Sequence, residues 1–306
     1  MVRPAHSSRR PAPFRSELHT LEGLLHAGHP HRAAARSAAL LRRAARQGCP
    51  GWTAEFGALR AEALLSLGDL TACEHQAAAA LRAAGPLGSP RRVRPAAVLA
   101  EALTAQGRLA EAAHHLAQDA PDGDPADPSP ARHLAPVLAY LRAQGRHHLA
   151  GHRHQDALAA FERLGGIARR HAPAGPSAHG WRTGAAEALL GLGRPKRAGE
   201  LLAELLAEPG PIAPRVHGAA LRLYAETQLP AHRPATLGQA VALLRASGDR
   251  VELARAYADL GRALSLLDDP GAAALLRRAA HLAADCGAVD PCRSPDGVRA
   301  TVPALH

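Results

Sequence analysis

The chain has 306 residues and a formal net charge of +10, with 37 Lys and Arg residues against 27 Asp and Glu residues. Apolar residues make up 47% of the sequence and aromatic residues only 3%, and alanine and leucine, which favour helix, dominate the apolar share. Because runs rich in Val, Ile, Thr and aromatic residues are absent, the composition excludes a β protein and predicts an all-α protein.

From Ser16 onward, a short pattern recurs that consists of a carboxylate, a small residue, Leu, three further residues and Gly. The clear copies are Glu22–Gly28, Glu62–Gly68, Glu101–Gly107 and Glu187–Gly193. Two weaker copies end at Gly145 and Asp268, and a degenerate unit lies near Pro230. The first three clear copies end 40 and 39 residues apart. A period of this size predicts an α-solenoid of helical hairpins, slightly longer than the ~34 residues of a tetratricopeptide (TPR) unit.

Each unit of the pattern predicts two helices joined at its glycine. Glycine ends the first helix because it adopts the left-handed conformation without a Cβ penalty. The second helix carries an apolar stripe, as in Leu109, Ala112, Ala113 and Leu116, whose spacing is i, i+3, i+4 and i+7. We therefore expect about seven TPR-like hairpins between Ser16 and Cys286, each burying its open face against its neighbours.

The loops divide this array into segments. Residues 1–15 and 287–306 read as disordered tails. An acidic, proline-rich linker at 120–130 separates N-terminal repeats at 16–119 from C-terminal repeats at 131–286. No apolar run reaches the ~20 residues of a membrane-spanning helix. The cysteines are scattered without a CxxC pair, which predicts reduced thiols in a cytoplasmic protein.

Three stretches of the second half, 180–202, 240–261 and 275–288, resemble one family in order and spacing. They begin with Gly-Trp-Arg at 180–182, continue with Val-Glu-Leu-Ala-Arg-Ala at 251–256, and end with Cys-Gly-Ala at 286–288. These strings resemble the TPR-like helical region of the large ATP-binding LuxR-type transcriptional regulators of actinobacteria. The resemblance implies a helical arm whose concave face binds a protein segment or a small effector.

The family's ATPase and DNA-binding domains find no counterpart in this sequence. The only lysine, Lys196, follows Pro195, so no P-loop motif is present. The residues after Val289 are too few for a helix-turn-helix domain. We therefore expect the arm of such a regulator, as a fragment, a truncated gene or a stand-alone relative, with an ATPase or a helix-turn-helix regulator as a candidate partner in trans.

Four residues are the candidate partner-binding side chains: Trp181, Arg182, Tyr224 and Tyr257. Trp181 and Arg182 open a helix within the family resemblance, and Trp52 stands at a similar place in an earlier repeat. A tryptophan at the start of a repeat is either a packing anchor or a contact on the concave face, where Trp and Arg are frequent hot-spot residues. The sequence leaves both interpretations open, and the two tyrosines share the ambiguity.

Histidines crowd the segment from His147 to His154, and His148 and His152 have the i, i+4 spacing that can share a metal. Gly151 interrupts their helix, however, and no carboxylate or cysteine completes a ligand set, so we expect no metal and no cofactor. The aspartates of the 120–130 region, including the preceding Asp119, read as a solvated acidic linker because prolines replace calcium ligands.

Catalytic motifs such as G-x-S-x-G and H-E-x-x-H are absent, which predicts a protein that is not an enzyme. Carboxylates that lie near arginines in sequence, such as Glu101 with Arg108 and Glu252 with Arg255, read as helix-surface pairs. The net charge keeps a nucleic-acid binder as the alternative function. We interpret the cluster of Arg91, Arg92 and Arg94 as solvated surface charge and not as a nucleic-acid site. A metalloenzyme built on the histidine cluster is the remote alternative.

Overall fold

The computed structural model describes residues 14–86, 89–121, 134–171, 177–208 and 212–292. Within these ranges the chain forms α-helices, two short 3-10 turns and no strand, which confirms the predicted all-α class. The helices are α1 Arg15–His26, α2 Pro30–Arg46, α3 Pro50–Ser66, α4 Leu70–Ala83, α5 Val93–Ala105, α6 Leu109–Gln118, α7 Leu134–Ala150, α8 His154–His171, α9 Ser177–Gly191, α10 Pro195–Leu206, α11 Pro214–Glu226, α12 Arg233–Ser247, α13 Arg250–Ser265 and α14 Ala272–Cys286.

These fourteen helices pack in seven neighbouring pairs in chain order, from α1 with α2 to α13 with α14. Local sequence explains where the second helices begin. Pro30 and Pro195 start α2 and α10, where the missing N–H of proline leaves no hydrogen bond unmade. Asp69 caps α4 by accepting a hydrogen bond from the Ala72 backbone amide at 3.1 Å.

The recurring glycine follows the first helix of its pair, as the pattern predicts. Gly28 and Gly68 have φ values of +75° and +72°, the left-handed region that suits glycine. In the fourth pair, His152 adopts this left-handed conformation, with φ +56°. The expected helix end at Gly145 is wrong, because α7 continues to Ala150.

Gly145 serves close helix packing instead of helix termination. A methyl group at this position would lie only 2.7 Å from the ring of Phe161 on α8. The absent side chain therefore lets α7 and α8 approach closely, and the aromatic ring fills the space.

The turns of the first pairs pack against the beginnings of the last ones. A methyl group at Gly28 would lie 3.4 Å from the Cβ atom of Ala213, and one at Gly68 would lie 3.0 Å from that of Arg250. The backbone amide of Val289, after α14, donates to the carbonyl of Ala105 at 2.9 Å. Three successive turns thus meet three successive segments near the C-terminus.

The first described helix begins at Arg15 and the last ends at Cys286. The expected disorder after 287 is wrong for residues 287–292, because Val289 and Pro291 are held by hydrogen bonds and Cys292 packs against α14. The N-terminal tail to residue 13, most of the 120–130 linker and residues 293–306 lie outside the described residues. None of the described helices is long and apolar enough to cross a membrane.

Candidate functional site

A cavity of about 1090 Å³ lies among the first helices of the pairs. We call α1, α3, α5, α7, α9, α11 and α13 the inner helices, because each contributes residues to this cavity. Trp52, Phe161 and Trp181 supply aromatic surface to its wall, and Leu18 and Val216 supply aliphatic surface. First helices supply most of the cavity lining, and second helices contribute Pro30, Phe161, Leu164 and Ser247. That the first helices form a binding face stays a prediction.

Buried arginine–glutamate contacts hold the N-terminal part of the cavity wall together. Arg94 on α5 is only 5% exposed. Its guanidinium donates to Glu22 on α1 and to both Glu55 and Glu62 on α3, each at 3.0 Å. One side chain therefore joins three inner helices, and its Nε has no hydrogen-bond partner among the described residues.

The network continues from Glu62 to α7. Arg142 donates to Glu62 at 3.1 Å and to Glu101 on α5 at 2.6 Å. Burial acts to raise the pKa of Glu62, but Arg94 and Arg142 outweigh it and hold this pKa at about 2. Glu62 is therefore ionised at neutral pH and acts as a hydrogen-bond acceptor, not as a proton donor.

A second buried network lies at the C-terminal part of the inner helices. Arg222 on α11 donates to Glu252 at 3.1 Å and to Asp259 at 2.9 Å, both on α13. Arg255 also donates to Glu252, at 2.7 Å. Burial acts to raise the pKa of Glu252, and the surrounding arginines, Arg222 first, lower it well below its ordinary value.

The repeated carboxylate of the sequence pattern has a structural role that the pattern alone does not show. In the four clear copies this residue points to the interior and pairs with an arginine of another helix; the pairs are Glu22–Arg94, Glu62–Arg94, Glu101–Arg142 and Glu187–Arg146. Every copy therefore meets a guanidinium of another pair, which is the adjacent pair for Glu62, Glu101 and Glu187 and the third pair for Glu22. The arginine lies 72, 32 and 41 residues after Glu22, Glu62 and Glu101 but 41 residues before Glu187, so no constant spacing along the chain marks these contacts.

Several charges that the sequence placed in solvent are internal. Glu101 does not pair with Arg108, which binds Glu74 and Glu111 instead. Glu252 does pair with Arg255, but it lies inside and is 7% exposed.

The arginine cluster before α5 and the start of the acidic linker also differ from expectation. Arg92 donates to both carboxylate oxygens of Asp119, at 2.5 and 3.2 Å, and Asp119 is 4% exposed. Solvated surface charge is therefore the wrong interpretation for Arg92, Arg94 and Asp119. Arg91, in contrast, is exposed and lies at the cavity.

The four candidate partner-binding residues occupy different environments. Trp181 is 7% exposed, lines the cavity and has the guanidinium groups of Arg169 and Arg182 over its ring. Arg182 forms an ion pair with Glu208 at 2.8 Å. Trp181 is therefore a packing residue whose ring also lines the cavity, and its contact with a partner stays a prediction.

The two tyrosines lie away from the cavity wall. Tyr224 is half-buried and packs on the cluster around Trp181. Tyr257 is 2% exposed, and its hydroxyl accepts a hydrogen bond from Arg245 at 2.8 Å. Arg278 covers its ring, so Tyr257 offers no surface to a partner.

The structure separates the candidate metal ligands. His147 and His148 lie in the last turns of α7, His152 is in the turn, and His154 begins α8. Across the ranges listed above, no group of three or more His, Cys, Asp or Glu side chains is placed to hold a metal ion. Burial lowers the pKa of both His147 and His148, which favours their neutral form.

Comparisons with known proteins show no family for this chain. No family model matches the sequence, and no curated protein matches it. Among solved structures, the crystal structure of BtubC (BKLC) from P. vanneervenii is similar over 90% of this chain and 98% of that one, with 18% identity and a TM-score of 0.30. A similarity at this TM-score carries no argument, so the functional account rests on the residues of this chain.

Proposed function

We propose that the chain is a TPR-like α-solenoid that binds a small effector in the cavity among its inner helices. The single observation that carries this proposal is the cavity itself, with aromatic and aliphatic walls and buried ion pairs. Its volume of about 1090 Å³ lies just above the ~300–1,000 Å³ typical of small-molecule pockets. An effector with an apolar or aromatic body and a few polar groups fits such walls, and a short protein segment is the second candidate occupant.

The solenoid arrangement is supported by the regular spacing of the turns. The turns at Gly28, Gly68 and Gly107 are followed by those at His152 and Gly193, so successive turns recur about every 40 residues. The contacts of the first turns with the segments before α11 and α13 are those expected where a superhelix returns upon itself. The inner helices then share one concave side.

The ion pairs support a role in recognition rather than in proton transfer. Glu62 and Glu252 remain charged at neutral pH, and the arginines that face them stay protonated. These groups hold the cavity in a fixed shape, and polar groups of an effector can replace one partner of an exposed pair. We infer a non-catalytic, effector-sensing module.

The resemblance to LuxR-type regulators gives this proposal its biological setting. In that setting the chain is the helical arm of a transcriptional regulator in the cytoplasm, and the effector changes its contacts with an ATPase or helix-turn-helix partner. The nucleic-acid alternative rests on the net charge of +10 and on other basic residues than Arg92, Arg94, Arg142 and Arg222, because these four are engaged by internal carboxylates.

The test is affinity capture of the tagged full chain from its native lysate, with nuclease added, followed by mass spectrometry of the small molecules and proteins retained. The Ala135→Phe variant fills the cavity, since Ala135 lines it at the start of α7 and is half-buried. We expect the wild type to retain a discrete small molecule and the Ala135→Phe variant to lose it.

The matched control is Ala203→Phe, at an exposed position on α10 outside the cavity lining. It adds the same side chain and should retain the small molecule. Equal retention by all three proteins would place binding outside the cavity and contradict the proposal, as would retention of nucleic acid alone in a parallel capture without nuclease.

A further inference from the structure

The last two turns of the array expose leucines. Leu229, in the turn between α11 and α12, is 70% exposed, and Leu266 and Leu267, between α13 and α14, are 66% and 46% exposed. Across the described ranges only one other large apolar side chain, Val289, is comparably exposed. Apolar exposure is therefore concentrated on one edge of the molecule, and such concentration marks contact surfaces.

The equivalent edge of an earlier pair is covered by the chain itself. Leu67 follows α3 as Leu266 follows α13, and both are the C-cap residues of inner helices. Leu67 is half-buried, because the connection between α12 and α13 packs against its side chain. A methyl group at Gly248 in this connection would lie 3.5 Å from Leu67 Cδ2 and 3.3 Å from the imidazole of His31.

The opposite edge of the molecule consists of the connections that follow second helices, and the connection that covers Leu67 is one of them. Gly248 follows α12 with φ +78°, and Gly48 follows α2 with φ +64°, so both end a second helix in the left-handed conformation. Around Gly248 the chain is packed, whereas nothing lies within 4 Å of a methyl group placed at Gly48. Gly85, after α4, is equally free at φ +102°.

The turn after α13 and the end of α2 carry opposite charges. The turn after α13 continues from its leucines into Asp268 and Asp269, both exposed. The end of α2 carries Arg42 and Arg46, both exposed, on the approach to Gly48. Pairing one edge with the other is electrostatically favourable, whereas pairing the two aspartate-bearing turns is not.

We propose that a second copy of this chain docks end to end, with the ends of α2 and α4 of one copy on the turns after α11 and α13 of the other. Within one chain, the connection before α13 packs on the turn after α3. The proposed contact packs segments of the same two kinds against each other, one from each chain. Because the two surfaces differ, the contact is heterologous and leaves a free edge at each end, so further copies can add.

Sedimentation velocity of the full chain across the micromolar range is the test. We expect the wild type to form dimers and longer species as concentration rises, with association weakened by added salt. The Leu266→Gln variant disables the edge formed by the turns after α11 and α13, because it places an amide in an apolar contact. The double variant Arg42→Glu/Arg46→Glu disables the edge formed by the ends of α2 and α4, because it sets two carboxylates against Asp268 and Asp269. Each alone should lower the association constant at least about tenfold.

Mixing the two variants tests the geometry directly. Each retains the edge that the other lacks, so the mixture should form a 1:1 dimer that does not extend. The Ala203→Glu control, on the exposed middle of α10, should associate as the wild type does, and circular dichroism should show equal helicity for all the proteins. A wild type that stays monomeric, a Leu266→Gln variant that associates normally, or a mixture that stays monomeric would each overturn the proposal.

Discussion

Replacing Arg94 with methionine should destabilise the protein severely, because one guanidinium neutralises carboxylates on two other inner helices. The variant keeps most of the side-chain length but leaves Glu22 and Glu55 without their arginine and leaves Glu62 with Arg142 alone. Removing one partner of a buried ion pair costs about 3–5 kcal/mol. Since Glu22 and Glu55 remain about one-fifth exposed, we expect the lower part of that range.

The pH dependence separates lost charge pairing from lost packing. The pKa of Glu62 is about 2 in the folded protein against 4.5 as the ordinary value. Its contribution is therefore fully present above pH 4.5 and is lost as the pH falls toward 2, and the difference corresponds to about 3 kcal/mol. Without Arg94 the carboxylates titrate closer to their ordinary range, so the stability gap between variant and wild type should narrow as the pH falls below about 5.

Urea denaturation followed by circular dichroism at pH 7 and pH 4 measures this gap. At pH 7 the Arg94→Met variant should be less stable than the wild type by about 3 kcal/mol, and at pH 4 this difference should be clearly smaller. Adding Glu22→Gln and Glu55→Gln to the variant should restore part of the loss. A variant within about 1 kcal/mol of the wild type at pH 7, or a gap unchanged by pH, would refute the assignment of Arg94 as the centre of a buried charge network.

Three further predictions concern packing, a second ion pair and a histidine. Gly165→Ala should destabilise by about 1–3 kcal/mol, because its methyl group would lie 2.5 Å from an indole ring, whereas Gly166→Ala has open space and should be neutral or stabilising in thermal melts. Arg92→Ala should cost about 3 kcal/mol by leaving Asp119 buried and unpaired, and adding Asp119→Asn should recover part of it in a double-mutant cycle. Burial lowers the pKa of His147, so its neutral form contributes stability above pH 6.5 that is lost as the pH falls below it. His147→Gln should reduce the fall in urea midpoint between pH 7.5 and about 5.5; an unchanged fall would contradict this.

The sequence predicts the all-α class and the number of helix pairs, because both depend on local signals. At 28, 68, 107 and 193 the backbone adopts the left-handed conformation after a helix, and glycine is the residue that tolerates it best. Each of these turns follows an inner helix, as the pattern predicts. The helix end at Gly145 is wrong because a glycine within a helix is also used for close packing. Only the position of the Phe161 ring on the next helix distinguishes the two uses.

The interior charges depend on contacts distant in sequence. Arg94 meets Glu22 across 72 residues, and Arg142 meets Glu62 across 80. Spacing along one helix instead favoured partners three to seven residues apart, as for Glu101. Trp52 and Trp181 lie near the beginnings of α3 and α9, and their shared position at one cavity depends on how the helix pairs pack together.

Tryptophan fluorescence tests the central claim, that the inner helices form one binding cavity, most directly. The chain contains two tryptophans, and both Trp52 and Trp181 line the cavity. The small molecule recovered by capture, added back to the purified chain, should shift the emission and reduce acrylamide quenching with saturable dose dependence. The Ala135→Phe variant should not respond, and the Ala203→Phe control should respond as the wild type does. Binding seen by calorimetry without any change in tryptophan emission or quenching would place the ligand outside the cavity and contradict the account.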